Sequence, residues 1–209
     1  MSAWFFDMDG TLIDSRADLA ATVNHTRRDL GLGELPQAQV LSHVGRGAKY
    51  LLAHAIPERA ADAGELFNIF MSHYGEHMLE SVTLYPGVEE TLAALAARGD
   101  KLGVNTAKPR FAVDAILKHF RLERFFGKAV VAGGDSSEMK PSPVPLFDCA
   151  RLMDHAISPD DWMVGDNWTD IQCGVNAGVK TAFCLFGFGV PGDVAPTRSI
   201  RSFRELLAG

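Results

Sequence analysis

Short apolar runs recur along this chain at Ala3 to Phe6, Leu102 to Val104, Ala129 to Ala132, Trp162 to Val164 and Thr181 to Phe186, ending in polar or glycine residues. Their length and their aromatic and β-branched content mark buried strands. Helical patterns separate them. Val88, Leu92 and Leu95 stand at helical spacing before Gly99, and others run from Phe111 to Phe120, Val144 to Met153 and Thr169 to Ala177. Such alternation restricts a chain to βα units, an α/β fold with a parallel sheet covered on both faces.

The stretch from Arg16 to Ser81 breaks the rhythm. It has no strand pattern, Leu19, Val23 and Leu30 share a helical face, and Glu58 to Glu80 reads as one long helix. Its borders carry hinge signals, Asp14-Ser15 on one side and Tyr85-Pro86-Gly87 on the other. The expected organisation is therefore a catalytic core domain from 1–15 and 82–209, with 16–81 inserted as a helical cap domain after the first strand.

With 209 residues, 47% of them hydrophobic, the chain can bury a substantial core. A net charge of -6 offers no basic surface to neutralise a phosphate backbone, which argues against nucleic acid and for a small-molecule partner. Cys149, Cys173 and Cys184 form neither a CxxC pair nor an even disulfide set, as expected of core residues in a reducing compartment. No basic stretch precedes the first apolar run and no segment approaches membrane-spanning length, so the expectation is a cytoplasmic protein without a membrane partner. Monomer and homodimer both stay open.

The first strand runs into Asp7-Met8-Asp9-Gly10-Thr11. Residues two apart in extended backbone point the same way, so Asp7 and Asp9 address one site at the carboxyl end of a parallel strand. Asp166 ends another strand, and Asp170 follows one helical turn later. Aspartates gathered at neighbouring strand tips repel one another unless a cation joins them, and oxygen-only ligands select a hard ion such as Mg²⁺. Thr106 ends a third strand with a hydroxyl and backbone N–H groups suited to phosphate oxygens, and Lys140, between Met139 and Pro141, supplies a positive charge. Phosphate-monoester hydrolysis is among the slowest uncatalysed reactions, and this set holds a nucleophile, an acid/base and a means of offsetting charge.

The segments Asp7-Met-Asp-Gly-Thr, Asn-Thr106-Ala-Lys-Pro, Lys140-Pro-Ser-Pro and Gly-Asp166-Asn-Trp-Thr-Asp170 resemble, in identity and order, the haloacid dehalogenase superfamily, and within it the phosphoglycolate phosphatase-like branch. The resemblance implies a Rossmann-like parallel sheet core with the helical cap after its first strand, and Mg²⁺-dependent hydrolysis of a small phosphate monoester through an aspartyl-phosphate. It implies Asp7 as nucleophile, Asp9 as general acid/base, and Thr106 and Lys140 on the phosphoryl group. Asp7, Asp166 and Asp170 would surround Mg²⁺, with Asp9 reaching it through its backbone carbonyl. Ala107, where close relatives often carry asparagine, would still offer its N–H to phosphate. Asn167-Trp168 replaces a more usual small residue and arginine, and Trp168 is placed either to line the pocket or to cover it. Arg46, between Gly45 and Gly47 in a turn of the insert, is a candidate to bind a second anionic group of the substrate.

Particular residues bear on other functions. Within the superfamily, dehalogenases and phosphonate-cleaving enzymes lack an acid at the Asp9 position; the latter use a cap lysine, for which Lys49 is the one lysine of the insert. A β-phosphoglucomutase-like enzyme and a catalytically silent binding protein of the same fold are the remaining alternatives. Gly187, Gly189 and Gly192 spell GxGxxG, but Pro191 and Pro196 prevent a helix from opening there, so a loop at the rim of the site is expected. His73 and His77 stand four apart on the insert's long helix. Glu76 does not fit a zinc-protease motif and the sequence shows no third ligand, so a solvated or packed helix face is expected.

Overall fold

The computed structural model describes residues 1–208. The chain runs β1 (Ala3–Phe6), β2 (Ile13–Asp14), α1 (Arg16–Asp29), α2 (Gln37–Leu41), α3 (Ala48–Ala55), a 3-10 turn (Pro57–Asp62), α4 (Ala63–His77) and β3 (Thr83–Leu84). It continues with α5 (Val88–Ala97), β4 (Lys101–Pro109), α6 (Arg110–His119), α7 (Glu123–Phe126), β5 (Val130–Gly133), α8 (Val144–Leu152), β6 (Trp162–Gly165), α9 (Trp168–Ala177), β7 (Lys180–Cys184), β8 (Arg198–Ile200) and a final 3-10 turn (Phe203–Leu207).

Six strands form one sheet in the order β5-β4-β1-β6-β7-β8, every neighbouring pair parallel. On β1, Trp4 and Phe6 enter the apolar layer that α5, α6 and α7 cover, while Ala3 and Phe5 enter the layer beneath α8 and α9. Each fully buried phenylalanine stabilises by roughly 1.5–3 kcal/mol, and burial on both faces is why this strand is an unbroken apolar run instead of an alternating one. The three cysteines are buried and free. No helix among the described residues is long and apolar enough to cross a membrane.

Helices α1 to α4 form a second apolar cluster, with Leu19 and Val23 from α1, Leu51 and Leu52 from α3, and Leu66, Phe70 and Tyr74 from α4; Leu30 packs at its edge. The chain enters and leaves this helical segment through an antiparallel ribbon in which Ile13 pairs with Leu84 and Asp14 with Thr83. Buried Asp18 on α1 accepts the N–H groups of Ser81 (2.9 Å) and Val82 (3.0 Å), tying the two ends of the segment together. The long helix expected over Glu58 to Glu80 is shorter. Pro57 opens a 3-10 turn in which Arg59 has φ -118° and ψ 26°, outside helical geometry, and the regular helix starts only at Ala63.

Candidate active site

β1 lies between β4 and β6, so the order of the sheet reverses there, and the crevice beyond the strand ends at such a switch point is where ligands bind in α/β sheets. Phe6 pairs with Val104 on one side and Val164 on the other, which sets Asp7 beside the strand ends that carry Thr106 and Asp166. The Asp7 N–H donates to the Val164 carbonyl at 3.0 Å, fixing the backbone where the carboxylate emerges.

Asp7, Asp166 and Asp170 are buried and bring carboxylate oxygens within 4.8 Å of one another. Burial, reinforced by the charges of Asp170 and Asp7, holds the Asp166 carboxyl well above the usual carboxylate range, even though Phe188 and Gly189 donate backbone N–H groups to its Oδ2 at 2.9 and 2.6 Å. Burial raises Asp170 to about 6 against the opposing pull of Lys140, whose Nζ donates to its Oδ1 at 2.6 Å. Lys140 also donates to the Asn105 carbonyl at 2.9 Å. Burial disfavours its charge, but Asp170 and Asp7 more than offset this and raise its pKa. Its Nζ also stands 2.9 Å from Asp7 Oδ1, so Asp7 and Asp170 share one ammonium. Three buried carboxylates facing one ammonium form the oxygen-only donor set that a hard divalent cation completes.

Asp9 turns elsewhere. Its Oδ1 accepts Ser15 Oγ at 2.5 Å and Lys108 Nζ at 2.6 Å, so its carboxylate stands outside the three-aspartate cluster. Lys108 is the principal side chain that the sequence reading left without a role. β4 continues past Val104 to Pro109 through a register shift, and so carries Thr106, Ala107 and Lys108 across the mouth of the site. Burial opposes the charge on Lys108, while Asp9 and then Tyr74 outweigh it and raise the pKa. Its ammonium lies 5.2 Å from the centre of the Tyr74 ring on α4, a contact between sheet and helical segment. A sequence signal for Lys108 exists: it follows Thr106 by two residues, as Asp9 follows Asp7.

Asp7, Asp9, Thr106, Ala107 and Lys108 line one side of a cavity, and Leu19, Val44, Ala48, Leu51, Phe70 and Tyr74 line the other. Its volume of about 50 Å³ is a few times the roughly 10–15 Å³ one water requires, which admits only a small ligand. Gly45 and Gly47 belong to this lining, whereas Arg46 between them is exposed and stacks on Tyr50, its guanidinium 4.0 Å from the ring centre. Gly45 has φ 104°, and a Cβ there would stand 2.5 Å from Asn167 Nδ2, so this turn needs glycine to approach the sheet loops. Lys49 is exposed and outside the lining. Asn167 caps α9: its Oδ1 accepts the Thr169 N–H at 3.3 Å while Asp170 Oδ2 accepts the Asn167 N–H at 3.0 Å, an arrangement worth about 1 kcal/mol that also orients Asp170. The GxGxxG segment forms a loop over Asp166, where a Cβ on Gly187 or Gly189 would come within 2.3 or 2.5 Å of that residue. Trp168 begins α9 outside the cavity lining, with Gly192 packed across it.

Residues 4–184 match the family model described as haloacid dehalogenase-like hydrolase. The chain is 34% identical to the phosphoglycolate phosphatase of Aquifex aeolicus, over 90% of this chain and 86% of that protein. It is also 34% identical to the phosphoglycolate phosphatase of Chromobacterium violaceum, over 96% and 92%. The crystal structure of a predicted phosphoglycolate phosphatase from Haemophilus somnus superimposes with a TM-score of 0.90 at 30% identity, covering 99% of this chain and 96% of that one. The strand-tip aspartates, the buried lysine beneath them and the match along nearly the whole sheet agree: the chain belongs to the haloacid dehalogenase-like hydrolase family.

Proposed function

We propose that the chain is a Mg²⁺-dependent phosphomonoesterase that acts on a small phosphorylated carboxylic acid of the phosphoglycolate type through a phosphorylated Asp7. The observation that carries this reading is the division of labour between two carboxylates at one cavity. Asp7 is buried beside Asp166, Asp170 and the Lys140 ammonium, and Asp9 is held apart by Lys108 and Ser15. Asp7 attacks phosphorus as the ester oxygen departs, and Asp9 as an acid gives that oxygen its proton. Asp9 then takes a proton from the water that attacks phosphorus and releases Asp7, so that an alcohol and inorganic phosphate leave. The Thr106 hydroxyl and the Ala107 N–H hold phosphoryl oxygens, and Lys140 offsets their charge from beneath Asp7. The carboxylates of Asp7, Asp166 and Asp170 and the Asp9 carbonyl would hold Mg²⁺, which when bound supplies positive charge to the transferring group and aligns it. The phosphoglycolate phosphatases among its relatives and the small cavity support the substrate class. Segment 16–81 acts as the cap over a catalytic core of 1–15 and 82–209, and three buried free cysteines support a reducing, cytoplasmic setting.

The test is phosphate release with Mg²⁺ from 2-phosphoglycolate and from a panel of sugar and other small phosphate esters, with and without a bisphosphorylated sugar. Release that favours the short acid is expected. Phosphoryl transfer to sugar would replace this reading with a mutase, and no turnover of any ester would leave a silent binding protein.

Two substitutions separate the cap from the chemistry. Lys108→Met removes the cation that positions Asp9, and kcat/KM is expected to fall by about 10²-fold or more on every ester, within the range acid–base catalysis supplies. Arg46 belongs to the proposal as the group that leaves Tyr50 to meet the substrate's carboxylate. Arg46→Ala is expected to lower kcat/KM for phosphoglycolate by about 2 kcal/mol, the size of a charge-assisted contact, and to leave p-nitrophenyl phosphate nearly unchanged. Equal effects of Arg46→Ala on both esters would remove it from substrate recognition.

A further inference from the structure

His73 and His77 lie one turn apart on α4, and α1 brings a third imidazole, His25, against them. The His25 ring meets His77 edge to face with centroids 4.6 Å apart and meets His73 likewise at 5.5 Å. One ligand nitrogen from each of the three falls within 4.8 Å of the others. A tetrahedral ion with metal–nitrogen bonds of about 2.0–2.1 Å sets such nitrogens about 3.3 Å apart, within that span.

The surroundings favour a metal over a packed apolar face. His73 Nε2 pairs with the Asp29 carboxylate at 2.7 Å, and His77 Nδ1 with Glu80 at 2.6 Å. In the neutral ring, an N–H donated to a carboxylate leaves the other nitrogen with its lone pair, and this is the carboxylate–histidine arrangement that orients metal-binding imidazoles. Glu76 adds a further carboxylate 3.8 Å from His77 Nε2. The His73 and His77 side chains retain 21% and 25% exposure, so an ion enters from solvent without any opening of the fold.

We propose that His25, His73 and His77 form a second metal site, distinct from the three aspartates, for a late first-row divalent cation of the Zn²⁺ class with water in its fourth position. Imidazole nitrogen selects such ions, whereas Mg²⁺ prefers the oxygen-only cluster at the strand tips. The bound ion joins α1 to α4. On α4, Phe70 and Tyr74 face the cavity, so the clip fixes the helix that forms one wall of it. The site does not depend on the phosphatase reading.

The test is Zn²⁺ binding to the full-length untagged protein in excess Mg²⁺, which occupies the carboxylates, followed by equilibrium dialysis and by thermal unfolding. One Zn²⁺ per chain is expected, together with a higher unfolding midpoint. His25→Gln, His73→Gln and His77→Gln are each expected to weaken binding by at least the roughly 10–100-fold that loss of an outer-shell partner costs, while the metal-free midpoint stays near that of the parent. Crystals of the unaltered protein soaked with Zn²⁺ and Mg²⁺ give a readout that requires no variant: an anomalous peak bounded by the three imidazoles. No bound Zn²⁺, binding equal in parent and variants, or a peak on the aspartates alone would overturn the proposal.

Discussion

Replacing Asp7 with asparagine is expected to lower kcat by about 10⁴-fold or more, or about 5.4 kcal/mol at 1.36 kcal/mol per decade, while leaving the fold intact. The amide keeps the shape of the side chain and loses the nucleophilic charge. The same change takes one negative charge from a buried trio that includes Asp166 and Asp170, so the metal-free variant should unfold at a temperature no lower than the parent. Kinetics on 2-phosphoglycolate and a thermal melt, run on one preparation, separate the two effects. Activity within about tenfold of the parent would remove Asp7 from the covalent step. Lost activity with a collapsed melt would instead make Asp7 a structural residue.

Removing divalent cations should have an effect of similar size. Chelation is expected to abolish turnover, Mg²⁺ to restore it, and Ca²⁺ to fail, because the larger ion takes looser and more numerous oxygen ligands. Stability should move with activity. An ion that binds only the folded state stabilises it by about 2.7 kcal/mol at a hundred times its Kd, and each kcal/mol shifts the midpoint of a chain this long by about 2–4 °C. Mg²⁺ should therefore raise the unfolding midpoint of the parent. In Asp170→Asn, which keeps the volume but loses one ligand charge, the same Mg²⁺ concentration should raise it less. Full activity after exhaustive metal removal would contradict the assignment.

The strands of the sheet were legible because β1, β4, β5, β6 and β7 are buried from both sides and must be apolar runs, and the intervening helices show their buried stripes plainly. The ribbon of β2 and β3 was not legible, since two-residue strands have no period, and β8, with Arg198 and Ser199 in a three-residue edge strand, carries almost no apolar signal. The break before α4 was hidden because Pro57 is tolerated in the first turn of a helix, and the pattern alone does not show that the chain turns again at Arg59. The carboxylates at the site followed from strand-tip positions, which a parallel sheet brings together whatever the loops do. Lys108 and His25 escaped for a different reason. The spacing of Lys108 from Thr106 hints at a shared face, but its pairing with Asp9 depends on β4 running through a register shift to Pro109, and the place of His25 depends on the packing of α1 against α4; neither contact is encoded in local spacing.

The covalent step admits one direct measurement. Protein mixed with Mg²⁺ and excess phosphoglycolate, quenched and treated with borohydride, should carry homoserine at position 7, because an acyl phosphate is reduced there while free carboxylates are untouched. Mass spectrometry of the peptide holding Asp7 and Asp9 reads the site directly. Reduction at Asp7 alone is expected, dependent on substrate and absent from Asp7→Asn. Reduction at Asp9 or another carboxylate, or turnover with no reduced residue, would contradict it.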